Sequence, residues 1–526
     1  MARLGRPTPE LQQRKAWMLI QFARNYSILG DTAKQKARAE EAHRLMAELS
    51  TNTPDDLDKL NKLSLALDEK GNVALAQGNL GAALQAYQDS LAIRERLIKA
   101  DPSNPDWQRD LSVSYDKVGD VLRAQGKLAD ALAAHKDSLA IAERLAKAYS
   151  HVGFAQRDLA SSYNSIGNVL VAQGDLAGAL KAYQDGLTIL ERLVEANPDN
   201  AGWQRDLAVC YNKVGDVFSA EDNLTAALKT YQSSLVISDR LAKADPSNAE
   251  WQRDLSISHE KIGNVLYAQR HLAEALKAFQ NSLAIAERLA AADPNNAGWQ
   301  RDVSVAYIKV GDVLRTQDKL PGALKAYQDS LAIAASLAKT DPTNMHWQRD
   351  LSLSFDRVGT ALRAQGGLAE ALKAYQDSLA ITLNLVETDP ENAVWQRDLS
   401  ITYEKIGDVL KAQGNLAGAL KAYEDSLAIR ERLAKADPGN AEWQRDLAVG
   451  HGKVGFALVQ QGETVRALAE YRVSRDIIAR LKEQSPDNAT LLKDLARYDA
   501  EIAKLEQAGA VEPAAAPAEA AQSTSP

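Results

Sequence analysis

The chain has 526 residues, 45% hydrophobic and 25% charged, with 62 Lys and Arg against 70 Asp and Glu, a net charge of −8. That balance argues against a general affinity for nucleic acid or anionic lipid, both of which need surplus basic charge. A single cysteine, Cys210, excludes an internal disulfide, and no apolar run approaches the 18 residues of a membrane span, so a cytoplasmic protein is expected.

In chain order, the first segment, Met1–Arg24, is basic, but its longest apolar run is Ala16–Ile20 and no small-residue cleavage site comes after it. It does not read as a secretory signal. Residues 11–58 read as a degenerate helical hairpin in which Gly30 and Pro54 hold the register of Gly126 and Pro102, with residues 1–58 expected to form an N-terminal cap. Trp17, Phe22 and Tyr26 are expected to pack on the next unit.

From residue 59 to 490 the chain repeats. Trp107, Trp203, Trp251, Trp299, Trp347, Trp395 and Trp443 fall on one 48-residue register, with Ala155 at the missing copy, giving nine units without insertion or deletion. Within a unit, Trp107, Leu111, Tyr115, Val118 and Leu122 step by four, four, three and four, one face of an α-helix. Gln125-Gly126 stops that helix, and Leu128, Ala131, Leu132, Leu139, Ala142 and Leu145 mark a second. Asp-Pro-Ser-Asn at 101–104 separates units, its Asn placed to cap the next helix. Residues 491–508 read as a lone capping helix with Leu492, Leu495, Tyr498, Ile502 and Leu505 inward, and 509–526, rich in Pro and Ala, as a disordered tail.

These residues resemble the tetratricopeptide repeat. Tyr115, Val118-Gly119, Leu122, Gly126, Ala131, His135 and Ser138 occupy that motif's offsets. Nine units carry the Gly (Gly71 to Gly455, including Gly119 and Gly215) and nine the small Ala (Ala83 to Ala467, including Ala131 and Ala227); eight carry the second-helix aromatic, His135 being the exception. The expected contact is Gly against Ala, with the aromatic beside them. The period of 48 exceeds the family's 34 by 14 residues, about two turns on each helix, making helices of about 20 residues. The resemblance implies an all-α, right-handed superhelical solenoid of helical hairpins.

Chemistry is sparse. The Gly119…Gly126-Lys127 stretch fails as a phosphate loop on spacing, on the missing Ser or Thr, and on the lack of a preceding strand. The seven histidines never fall at i, i+4, so zinc is unsupported and no cofactor is expected. Cys210 stands where other units carry Ser114 or Ser258 and reads as core. The Gln-Arg-Asp triplet after Trp107 recurs in eight units, so its role is one every unit has: Arg–Asp pairing between neighbouring units.

By resemblance, the first-helix positions 113, 116, 117, 120 and 123 face a groove. They form a polar ladder, Asp116-Lys117-Asp120-Arg123 and its copies, in which an acid usually stands where a carboxylate clamp needs Lys. A self-neutralising, solvated groove is the alternative reading. Where the ladder turns neutral or apolar, Val171, Ser219, Tyr267 and Ile308 are candidate anchors. The unit at 155–202 departs most, with Phe154 offered as the substitute for its missing tryptophan; Gly452, Phe456 and Val459 of the last unit are a second candidate. The reading is a non-catalytic scaffold for a protein or peptide partner, without nucleic acid or membrane. Two alternatives stay open: a sensor for a separately encoded protease-like or nucleotide-binding effector, as the resemblance to bacterial multi-repeat proteins implies, and a self-assembling solenoid. Monomer and homo-oligomer are both compatible with the sequence.

Overall fold

The computed structural model describes residues 8–28, 31–486 and 488–511. They divide into two compact units, the first ending at Thr340 and the second beginning at Asp341. The first unit holds seven antiparallel hairpins: α1 (Pro9–Ile28) with α2 (Thr32–Asn52), α3 (Leu57–Ala76) with α4 (Leu80–Ala100), α5 (Pro105–Ala124) with α6 (Leu128–Ala148), α7 (Gly153–Gln173) with α8 (Leu176–Ala196), α9 (Ala201–Ala220) with α10 (Leu224–Ala244), α11 (Ala249–Ala268) with α12 (Leu272–Ala292), and α13 (Ala297–Thr316) with α14 (Leu320–Thr340). The second holds α15 (Met345–Ala364) with α16 (Leu368–Thr388), α17 (Ala393–Ala412) with α18 (Leu416–Ala436), α19 (Ala441–Gln460) with α20 (Thr464–Gln484), and the unpaired α21 (Ala489–Val511). Each unit is an all-α solenoid, and no strand occurs among the described residues. Helices of 20 and 21 residues alternate, the length expected from the two added turns, except that α7 has 21 and α21 has 23.

In seven hairpins the first helix, helix A, starts on an asparagine, while α3 starts on Asp56 and α7 on Val152, which gives no side-chain cap. Asn200 Oδ1 accepts from the Trp203 amide at 3.0 Å, and Asn248, Asn296, Asn392 and Asn440 repeat the bond, supplying an acceptor to an amide the helix leaves open. Helix A ends on a left-handed residue: Gly126 at φ 76°, with Asp222, Arg270 and Asp318 taking that conformation in three hairpins.

The core is built between hairpins. In several hairpins the aromatic of the second helix, helix B, and the Ala one turn before it pack on two β-branched residues of the next helix A. Tyr183 and Ala179 meet Val214 and Val217; Tyr231 and Ala227 meet Ile262 and Val265; Tyr375 and Ala371 meet Ile406 and Val409. Ala131 and Ala227 are fully buried, and Trp203 and Trp251 pack at the far helix ends on Leu190, Leu193, Leu207 and Ile237. Trp107 is half-buried. The repeating glycine lies directly against the aromatic of its own helix B. A Cβ on Gly263 would lie 2.7 Å from Phe279 Cε1, and one on Gly119 2.7 Å from His135 Nε2.

Some expectations change. Trp17 and Phe22 stay exposed, because α1 buries Ala16, Leu19, Ile20 and Ala23 instead. Phe154 is 50% exposed, stacked under the Arg109 guanidinium, while Trp203 leans over Gly153. At α21, Leu491 is buried and Leu492 exposed. That helix begins two residues before the expected boundary and runs three beyond it, while Gly30 and residues 512–526 lie outside the described residues.

Candidate functional site

Successive A helices lie side by side, and the face they share carries three rows of residues at one-turn intervals. The first row is the arginine and aspartate of the repeated triplet. Arg253 Nε and Nη2 grip Asp302 of the next A helix at 2.5 and 3.1 Å, and Arg109–Asp158, Arg157–Asp206 and Arg205–Asp254 do the same in the first unit. Arg349–Asp398, Arg397–Asp446 and Arg445–Asp494 form the second unit's row. The pairing between neighbours read from the triplet is thus present as a two-pronged grip, which fixes direction as well as distance. The triplet's glutamine has a separate task that the sequence reading missed. Its amide donates to the carbonyl of the loop proline in five hairpins, Gln108 to Pro102 at 2.7 Å, Gln300 to Pro294 at 3.4 Å and Gln348 to Pro342 at 3.3 Å among them, and in three to a carbonyl at the end of the preceding helix B, Gln156 to Ala146 at 3.0 Å, Gln252 to Ala242 at 2.9 Å and Gln444 to Ala434 at 3.0 Å. Those helix-end carbonyls have no acceptor role within their own helix.

The third row joins three side chains from two hairpins. Asp216 accepts from the Tyr231 hydroxyl of its own hairpin at 2.6 Å and from Lys261 of the next at 2.7 Å. Asp408 accepts from Tyr423 and Lys453, both at 2.7 Å. Asn168 accepts from Tyr183 at 2.8 Å and Lys213 at 2.9 Å. Burial pushes the tyrosine hydroxyls far above their usual range, Tyr231 and Tyr423 further still by donating to a carboxylate. Burial likewise lowers Lys213, whose acceptor here is a neutral amide.

The polar residues proposed for partner contact belong largely to this internal wiring. Asp116 bonds the buried His135 ring at 2.9 Å, Lys117 reaches Asp68 at 3.4 Å and lies over the Tyr87 ring, and Asp120 meets Arg123 at 3.5 Å. Of the proposed anchors, Val171 is exposed, and Ser219 and Ile308 are half-buried. Tyr267 spends its hydroxyl on Thr316 at 2.7 Å and packs on the Phe279 cluster. Val171, Ser219 and Tyr267 lie toward the C-terminal ends of their A helices, at the register position of Arg123, while Ile308 stands in mid-helix at that of Asp116.

Between the two polar rows runs a third, at the groove-facing register position of Val113: Trp17, Leu65, Val113, Val209, Ile257 and Val305 in the first unit, interrupted at Ser161. Leu353, Ile401 and Val449 continue the same register position in the second unit, where Arg497 comes next. Every one of these apolar side chains is exposed or half-buried. Cavities open along the row. One of about 420 Å³ includes Arg157, Asp206, Val209 and Lys213 in its wall, and one of about 600 Å³ lies beside Trp17, Asn61 and Leu65. In the second unit, Val449, Phe456, Tyr471 and Tyr498 line a cavity of about 220 Å³. There Gly452 is required by the cap, since a Cβ would stand 2.7 Å from the Tyr498 ring. The resemblance placed position 113 on the groove, and the 48-residue recurrence of apolar residues at that position is the signal for the row.

Two helix-B arginines also escaped notice. Arg94, 2% exposed, donates to Asp68 at 2.7 Å, and Arg430 donates to Glu404 at 2.6 Å; both stand at the register position of Leu190. Cys210 is buried, and burial raises its thiol to about 12, which leaves little thiolate for nucleophilic chemistry. Among the described residues no group of three or more His, Cys, Asp or Glu is placed to hold a metal, and no helix is long and apolar enough to cross a membrane.

Five stretches, 64–106, 112–151, 159–200, 260–295 and 401–438, match the tetratricopeptide repeat family model. Among solved structures, similarity extends to BtubC (BKLC) from P. vanneervenii, at 17% identity over 49% of this chain and 92% of that one, TM-score 0.40. The apo form of RapI matches at 13% identity over 81% and 98%, TM-score 0.46. A Rap protein complexed with competence and sporulation factor matches at 14% over 90% and 99%, TM-score 0.42. No curated protein matches the chain in sequence.

Proposed function

The chain is a tetratricopeptide repeat protein, and we propose that it is a non-catalytic scaffold that binds a protein or peptide partner along the shared face of its A helices. The observation that carries this is the accessible apolar row of Leu65, Val113, Val209, Ile257 and Val305, held open between two polar rows whose charges are already paired. Paired rows offer little net field, so the partner is selected by apolar side chains and shape rather than by charge. Packed helices stand about 8–10 Å apart, a spacing matched by every third residue of an extended polyproline-type segment or every seventh of an α-helix. Covering what is still exposed of one such side chain contributes about 1 kcal/mol, so binding draws on several of them in register.

A displayed random-peptide library tests this. Selection on the full chain is expected to enrich peptides with apolar residues at one of those spacings, and binding is expected to fall at least tenfold on Val113→Asp/Val209→Asp protein of unchanged helicity. Peptides that bind both proteins equally, or no enrichment, would sink the reading.

A further inference from the structure

We propose that two copies of this chain pair through the outer face of their α1–α2 hairpins, about a two-fold axis that sets α1 against α1 and α2 against α2, each antiparallel. The starting point is the interface repeated inside the molecule. Each interior A helix receives the helix B of the hairpin before it: Val118, Val121 and Leu122 of α5 receive Tyr87 and Ala83 of α4. In the register that aligns Ala23 with Gly119, Leu11, Met18 and Phe22 of α1 hold the positions of Trp107, Ser114 and Val118. They are 57%, 49% and 43% exposed. The receiving surface is therefore present on α1 with nothing of the described chain upon it.

Its pattern suits a helix. Leu11, Lys15, Met18 and Phe22 step by four, three and four, the spacing of a helix–helix seam. Lys15 fits that seam, because its ammonium is drawn aside to Glu41 at 2.6 Å and its apolar stem is left along the stripe.

Charge chooses the occupant. The exposed side of α2 presents Lys36, Glu40, Arg44 and Glu48, alternating in sign every four residues. Antiparallel pairing centred on residue 42 sets Lys36 against Glu48 and Glu40 against Arg44 of a second copy, so the stripe complements itself. The seam on α1 is centred between Lys15 and Met18, at the same height along the hairpin, so one axis serves both helices. A head-to-tail contact lacks this match, because α21 exposes Lys493, Arg497, Asp499, Lys504 and Glu506. A hairpin face about 30 Å long and two helices wide buries about 600 Å² per partner, about 1,200 Å² in all, the lower end of a specific interface.

The test is the mass of the full chain by light scattering and sedimentation from about 1 to 100 μM. The expected result is twice the mass of one chain, falling to a single mass in Met18→Glu/Phe22→Glu with the circular dichroism melt unchanged. Lys36→Glu/Arg44→Glu should weaken pairing at least tenfold, and adding Glu40→Lys/Glu48→Lys to it should restore pairing. A wild type that stays monomeric, a dimer that survives Met18→Glu/Phe22→Glu, or a fourfold swap that fails to restore association overturns the proposal. Peptide selection on Val113 and Val209 involves none of these residues, so either proposal can fail alone.

Discussion

The α-carbon of Gly215 and the ring of Tyr231 form one contact: a Cβ on the glycine would sit 2.5 Å from Tyr231 Cε1, inside any real carbon–carbon approach. The tyrosine is thereby pressed flat on its own helix A, its hydroxyl reaching Asp216 at 2.6 Å, and its other side is left for Ile262 and Val265 of the next hairpin. Gly215→Ala therefore displaces the ring that joins two hairpins. Although Ala favours a helix by about 1 kcal/mol over Gly, overpacking costs about 1–3 kcal/mol, and a net loss of up to about 2 kcal/mol is expected. Urea denaturation followed by circular dichroism measures it; a gain in stability would contradict the contact.

Arg94 is a charge kept in the core by Asp68. Arg94→Leu leaves that carboxylate with Lys117 at 3.4 Å, and a loss of about 3–5 kcal/mol is expected. The chain itself contains the neutral solution, since Leu190 and Asn164 stand at the same two register positions. Arg94→Leu/Asp68→Asn should recover most of the loss. If the double variant is no more stable than the single one, the pair is not what the arginine serves.

The arginine row has no member 49 residues before Asp110, where Asn61 stands. Burial raises the Asp110 carboxyl, with Arg94 opposing. Asn61→Arg should extend the row by one grip and stabilise by about 0.5–1 kcal/mol at neutral pH. A raised folded-state value means the cost of ionised Asp110 is present above it and relieved as pH falls. The variant's advantage should therefore shrink through the carboxylate range in melts taken from pH 7 to pH 3, and an advantage independent of pH would rule out this pairing.

In the second unit, Glu404 and Asp408 surround Lys453 at 3.2 and 2.7 Å. Burial pushes both carboxyls up, but Arg430 and Lys453 at Glu404, and Lys453 at Asp408, outweigh it and hold both below the ordinary carboxylate range. Depressed folded-state values contribute stability that is present above the unfolded values and lost as pH falls through the folded ones. Lys453→Met should lower stability by about 1–3 kcal/mol at pH 7 and flatten the acid limb of the stability profile. An acid limb as steep as the wild type's would assign that dependence to other groups.

Much of the architecture was legible in the sequence because period and helix face are local properties. The 48-residue recurrence of Trp, Gly and Ala, the Asn before seven of the A helices and the steps of three and four place the repeated hairpins, and Arg109 and Asp158 could be paired from recurrence alone. Which faces meet was decided only by tertiary packing, since a residue's partner across a helix interface depends on rotation and offset, which spacing leaves free. So Gly215 lies against the Tyr231 ring, Asp116 and Lys117 turned inward to His135 and Asp68, and Val113 and Val209 stayed accessible while similar valines, Val118 and Val214, were buried. An apolar side chain on a helix is the same signal whether another hairpin covers it or a partner will, and the stacking of neighbouring hairpins makes that distinction.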